Sequence, residues 1–285
     1  MPQRYVHNHR KLYSNYHLLL AQELYVLENE IKTTMLKFWN TSQQYGHFII
    51  LDNGAYELKA AMDDTKYSQV IAQLRPNEVI LPDVLFDSKE SMARAENFYH
   101  TNSFLFSEKS AKAHNSHKIN SIAVIQAETR QNATIDFNEI KEQLHFYHTK
   151  LHVKTICIPK HFGHDRPYGR VDFTEQLHQF FTRNPQWLDI FNVHYLGLAC
   201  IVELVELPKY SWIRGIDTAA AFVYAYHKMA LADYQGTISG KDCSRPANFF
   251  ELKDLPYGTR ILNNNIRTCI RMLAYGNTRT RYADR

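Results

Sequence analysis

The stretch His47-Phe48-Ile49-Ile50-Leu51-Asp52-Asn53-Gly54-Ala55-Tyr56-Glu57 decides the fold reading. An apolar run leads straight into an acid and then an Asn-Gly turn. In parallel α/β proteins, a carboxylate at the carboxyl end of a buried strand lies on the edge where ligands bind. The pattern recurs at Ile80-Leu81-Pro82-Asp83 and at Ile213-Arg214-Gly215-Ile216-Asp217-Thr218. Three acids closing three strands predict convergence on one mouth and a carboxylate-based enzyme.

Working outward from this stretch, apolar strands alternate with amphipathic segments. Strands are expected at His17–Ala21, Phe48–Leu51, Val79–Leu81, Ser121–Gln126, Lys154–Pro159, Val193–Gly197 and Trp212–Asp217. Helical spacing marks Leu27–Trp39, Tyr67–Leu74, Ser88–Tyr99 (with Ser88 as its cap), Phe137–Tyr147, Phe173–Phe181 and Ala219–Leu231. An eighth strand is weaker: Thr237-Ile238-Ser239 competes with Thr259-Arg260-Ile261-Leu262. About eight β-α repeats predict an α/β fold of one domain over residues 1–285, a (β/α)₈ TIM barrel, with an open doubly wound sheet as the alternative.

The 285 residues carry 33 Lys and Arg against 29 Asp and Glu, and 15 His. That mild positive charge is compatible with a polyanionic partner. No long uncharged apolar run is present, and the N-terminus lacks the apolar core of a signal peptide, so a cytoplasmic protein with no membrane segment is expected. Cys157, Cys200, Cys243 and Cys269 are scattered without a Cys-x-x-Cys pair, as reduced, buried thiols would be, and no metal-ligand spacing appears.

Several residues have two readings. Asp52 suits a solvated turn as well as a barrel mouth, and Asp217 suits a helix N-cap as well as a reacting acid. Asp83 follows Pro82, which fixes the backbone where the strand ends. Gln126 supplies a donor and an acceptor, as recognition of a planar base requires. Gly197-Leu198 permits close backbone approach to a ligand. His161 and His164 read as solvated loop residues in preference to metal ligands. Lys160, Arg166 and Arg170 in the loop after the fifth strand, and Arg267 and Arg271 in a basic segment over about 259–285 that continues to Arg279, Arg281 and Arg285, are candidates for phosphate contact.

In order and spacing, Leu51–Glu57, Leu81-Pro82-Asp83-Val84, Val124-Ile125-Gln126, Leu196-Gly197-Leu198-Ala199 and Gly215-Ile216-Asp217-Thr218 resemble the tRNA-guanine transglycosylase superfamily. They look most like its short phage and bacterial branch, which exchanges guanine in DNA for a 7-deazaguanine. The resemblance implies that Asp217 is the nucleophile and Asp52 the general acid/base. It also implies that Asp83, Gln126 and the Gly197-Leu198 backbone contact the base, with Asn53 and Tyr56 beside them. Tyr56 or Phe86 is placed to stack on a flipped base. The chain departs from the family's Asp-Ser-Gly-Gly-Phe-Gln stretch by Asn53 and Glu57, lacks its Cys-x-Cys-x-x-Cys…His zinc motif and leaves no room for an added RNA-binding domain.

The resemblance therefore implies an enzyme of the pentosyltransferase type acting on DNA with a free 7-deazaguanine base and no cofactor. Oligomeric state stays open. The alternatives are a tRNA-guanine transglycosylase, a TIM-barrel nucleoside or glycoside hydrolase using the same acids with water, and a non-catalytic nucleic-acid-binding protein.

Overall fold

The computed structural model describes residues 16–26, 29–60, 62–114, 116–127, 135–163, 168–218, 220–231 and 258–283. Its strands are β1 (Tyr16–Leu20), β2 (Phe48–Asp52), β3 (Glu78–Ile80), β4 (Asn120–Val124), β5 (Thr155–Ile158), β6 (Asn192–Tyr195) and β7 (Ile213–Ile216). They hydrogen-bond in chain order, β1-β2-β3-β4-β5-β6-β7. The pairs β1–β2, β2–β3, β3–β4, β4–β5 and β6–β7 are parallel, the last with a register shift at Val193/His194. The connecting helices include α1 (Asn29–Gln44), α2 (Asp64–Leu74), α3 (Ser88–Thr101), α4 (Phe137–Leu151), α5 (Val171–Arg183) and α6 (Ala220–Tyr226), and α7 (Gly258–Ala283) ends the described chain.

The chain divides into two compact units, with the division inside β5. One holds β1 to β4, β5 up to Cys157, and Asp189–Phe191; the other holds Ile158–Leu188 and the residues from Asn192 onward.

In the first unit, all three residues of β3 and the Ile49-Ile50-Leu51 run of β2 are buried, as expected where a parallel sheet is covered on both faces. Helix α2 buries Tyr67, Val70, Ile71 and Leu74, one stripe at helical spacing, and Asp63 caps it by accepting from the Lys66 N–H at 3.0 Å. The Tyr67 hydroxyl reaches the Leu51 carbonyl at 3.1 Å and the Ile80 carbonyl at 2.8 Å. It thereby holds together the ends of β2 and β3, one residue before Asp52 and three before Asp83. The cap of α3 is Asp87, which accepts from the Glu90 N–H at 2.9 Å. Ser88, expected to be that cap, instead donates its hydroxyl to Glu139 of α4. Asp87 wins because its backbone is extended, as an N-cap requires.

In the second unit, Leu198, Leu204, Ala220, Ala221, Tyr224, Ala225, Leu231, Leu262 and Cys269 form one apolar cluster that seats α6 and α7. Asn265 of α7 is buried and accepts from the Leu231 N–H at 2.8 Å, while its amide donates to the carbonyls of Ala221 at 3.2 Å and Met229 at 3.1 Å.

Seven parallel strands in chain order match the sequence expectation, but among the described residues the order is open at β1 and β7. Thr237-Ile238-Ser239 lies outside the described residues. Thr259–Leu262 is not a strand: it is the first turn of α7, because Leu262, Asn265 and Cys269 recur at helical spacing on the buried side. The helix after β7 stops at Tyr226, short of the expected Leu231. Cys157, Cys200 and Cys269 are buried and in no disulfide among the described residues, and Cys243 lies outside them. Among the described residues, no helix is long and apolar enough to cross a membrane.

Candidate functional site

The first unit assembles an amide–carboxylate network at the ends of β2, β3 and β4. Asp52, the last residue of β2, accepts from the Gly54 N–H through Oδ1 at 3.1 Å. Gly54 has φ +74°, and a Cβ there would lie 2.0 Å from Oε1 of Gln22, a buried amide just past β1. The left-handed turn and this close approach both favour glycine. Asn53 is buried and not a base-facing group. Its Oδ1 accepts from the Ala55 N–H at 2.8 Å, and its Nδ2 donates to the Leu81 carbonyl at 3.0 Å and to Asp83 Oδ1 at 2.9 Å.

Asp83 is only 6% exposed. Asn53 donates to its Oδ1, and Gln126 Nε2 donates to its Oδ2 at 2.6 Å. Burial pushes the Asp83 carboxyl above its ordinary range, and the Asn53 and Gln126 hydrogen bonds oppose that rise. Gln126 Oε1 accepts from the Phe86 N–H at 3.0 Å. Its own backbone is clasped by Gln143 of α4, whose Oε1 accepts from the Gln126 N–H at 2.9 Å while Nε2 donates to the Gln126 carbonyl at 2.7 Å. The amide orientation of Gln126 is therefore set: oxygen toward Phe86, nitrogen toward Asp83. By valence, Asp83 can accept beyond the bonds from Asn53, Gln126 and its own backbone N–H, and the completely buried Gln126 has one Nε2–H left. Tyr56 is 43% exposed, with Lys59 Nζ 4.6 Å from its ring centre.

The second unit holds Asp217, just past β7. Its Oδ1 accepts from the Gly197 N–H at 3.0 Å and from His194 Nε2 at 3.1 Å. Its side chain is 23% exposed while His194 is buried. One oxygen is thus fixed, and Oδ2 has no protein donor among the described residues. Asp217 is not the helix cap: the Thr218 hydroxyl accepts from the Ala220 N–H at 2.9 Å. The Gly197 N–H is committed to Asp217 and the Gly197 carbonyl accepts from Arg170. Both backbone polar groups of Gly197 are thus used within the protein.

Arg170 corrects the sequence expectation of a phosphate contact. It is completely buried and forms a bidentate pair with Glu203, Nε to Oε1 at 3.1 Å and Nη2 to Oε2 at 2.7 Å. Nη1 donates to the carbonyls of Ile158 at 2.8 Å and Leu196 at 2.9 Å, and Nη2 to that of Gly197. All five N–H donors are used. Gly169 (φ +60°) makes room, since a Cβ there would lie 2.4 Å from Glu203 Oε1. His161, expected on the surface, is buried against Phe162 at 5.1 Å between ring centres, and His164 lies outside the described residues. Lys160 is half-buried beside Gly197; burial first, then the neighbouring Arg170 charge, lower its ammonium pKa, partly offset by Glu203.

Arg166 lies outside the described residues. On α7, Arg260, Asn264, Arg267 and Arg271 are exposed at helical spacing along one face, and α7 contains no acid. The Asn265 anchor fixes which face turns outward. Among the described residues, no group of three or more His, Cys, Asp or Glu is placed to hold a metal ion.

Sequence reasoning missed Gln22, Gln143, His194 and Glu203. Glu203 carried a signal, being a lone acid in the apolar run Cys200-Ile201-Val202-Glu203-Leu204-Val205. Such an acid is buried only with a partner. Gln143 and His194 carried none, because their roles arise from tertiary neighbours.

Comparison with known protein families finds no matching family model, and comparison with curated proteins finds no matching relative.

Proposed function

We propose that this chain is a DNA guanine transglycosylase that exchanges guanine for a free 7-deazaguanine base by double displacement. The observation that carries the reading is the Asp83–Gln126 edge. A carboxylate acceptor followed by an amide donor complements the 2-amino, N1–H and O6 groups of guanine and of a 7-deazaguanine. Adenine presents an acceptor at N1 and would leave the acid unpaired, at a cost of roughly 1–3 kcal/mol or more.

In this mechanism the free Oδ2 of Asp217 attacks the anomeric carbon of the target deoxyguanosine. The bond to N9 breaks, its electron pair stays on the departing guanine, and Asp52 supplies the proton. A deoxyribosyl ester of Asp217 remains. The ionised Asp52 then removes the N9 proton of the incoming 7-deazaguanine. That nitrogen attacks the same carbon and Asp217 is released, so configuration is retained. Glycosidic bond energy is conserved, and no ATP is consumed. His194 and the Gly197 N–H hold Oδ1 so that Oδ2 points one way. Lys160 and the α7 arginines bind phosphates. The reading implies a cytoplasmic (β/α)₈ barrel.

The test offers the protein guanine-labelled DNA and guanine-labelled tRNA, each with an added 7-deazaguanine. Loss of label from DNA that depends on the added base is expected. Label lost from tRNA reassigns the substrate, guanine released without an added base indicates a hydrolase, and label retained in both polymers overturns the enzyme.

A further inference from the structure

The segment between Asp83 and α3 carries a backbone conformation its sequence should avoid. The Asp87 N–H donates to the Val84 carbonyl at 3.2 Å, so Val84–Asp87 is a turn with Leu85 and Phe86 at its centre. Phe86 sits at φ +67° in the third position of that turn, where glycine or asparagine is at ease and a bulky side chain is strained. The turn is held rigidly: Ser91 Oγ accepts from the Val84 N–H at 2.8 Å and donates to the Val84 carbonyl at 2.9 Å. Phe86 is 48% exposed. Its N–H, however, holds the Gln126 oxygen that turns the Gln126 amine onto Asp83.

We infer that Phe86 is a base-binding residue, its ring displayed by the strained turn as the stacking face for the purine-like base held on the Asp83–Gln126 edge. The inference rests on the reading of that edge as guanine-binding. A strained, half-exposed aromatic, one hydrogen bond from a polar recognition edge, unites the two features a planar heterocycle needs. Hydrogen bonds select its rim, and a π-face covers its plane. The same N–H fixes the direction of the Gln126 amide, so the turn sets the rim and the face together.

Phe86→Gly separates this role from a structural one, because glycine relieves the strain while deleting the ring. Calorimetric titration with 7-cyano-7-deazaguanine is expected to show affinity roughly tenfold weaker than for the unaltered protein, with a melting temperature unchanged or raised. Phe86→Trp should bind as well as or better than Phe86, and its added indole emission should quench on titration with the base. Unchanged affinity in Phe86→Gly, a loss of affinity that comes with a lowered melting temperature, or an unquenched indole in Phe86→Trp overturns the inference. Asp83→Asn tells the two readings apart. If it weakens binding and Phe86→Gly does not, the guanine edge stands and the stacking role falls. If the unaltered protein does not bind the base, the guanine edge itself falls.

Discussion

Asp217 has two unequal carboxylate oxygens. Oδ1 takes two donors, from His194 and Gly197, and Oδ2 has no protein donor among the described residues. On the proposed mechanism, Asp217→Asn removes the nucleophile without removing volume. It should abolish base exchange, by at least about 10³-fold given what a covalent step contributes, while the thermal unfolding curve stays in place. Exchange that persists in this variant would move the nucleophile elsewhere. Asp83 makes a pH statement with two opposite signs. Its folded-state pKa is raised by burial, so its contribution to stability is complete below the unfolded carboxyl pKa and is lost as pH rises through the folded one. On the proposed guanine-binding reading, recognition runs the other way: only the ionised form accepts from both N1–H and the 2-amino group. Affinity for a 7-deazaguanine should therefore fall on acidification, starting at higher pH than an ordinary aspartate would give. Binding titrations across that range check it, and a flat profile would contradict the ionised-acid reading.

At the level of the elements, α7 divides its work between two faces. Leu262, Asn265 and Cys269 are buried, and Arg260, Arg267 and Arg271 point outward. If the outer face meets DNA phosphates, the double variant Arg267→Ala/Arg271→Ala should bind DNA more weakly. It should also reduce the slope of log affinity against log salt by about 2. An unaltered slope would show that this face stays in water. The turn from Gly169 into α5 has a different task. Arg170 at its end ties the last carbonyl of β5 to those of Leu196 and Gly197 after β6, with Glu203 neutralising it. The backbone whose N–H holds Asp217 is thus set by a buried ion pair.

For the molecule as a whole, that pair is the feature whose loss global unfolding should register most strongly. Glu203→Ala strands a guanidinium in the interior and should lower unfolding free energy by about 3–5 kcal/mol, read from urea denaturation. A loss under about 1 kcal/mol would mean that water reaches Arg170 after the substitution. The fold around it follows parallel α/β logic: strands bonded in chain order, helices between them, and polar residues gathered where strands end.

Much of this was readable before any coordinates. Seven strands and the helices between them follow from hydrophobic periodicity, which acts over a few residues and is written locally. The placing of Asp52, Asp83 and Asp217 at or just past strand ends follows from the same pattern. What the chain alone did not decide was who meets whom. Arg170 and Lys160 are both basic residues near the end of β5, yet one is locked against Glu203, thirty-three residues away, and the other keeps partial access to water. Asn53 looked like turn chemistry and serves as a strut under Asp83, and Thr259–Leu262 looked like a strand until the face it buries in α7 was known. Burial and hydrogen-bond partnership belong to pairs of distant residues, and only tertiary packing brings such pairs together.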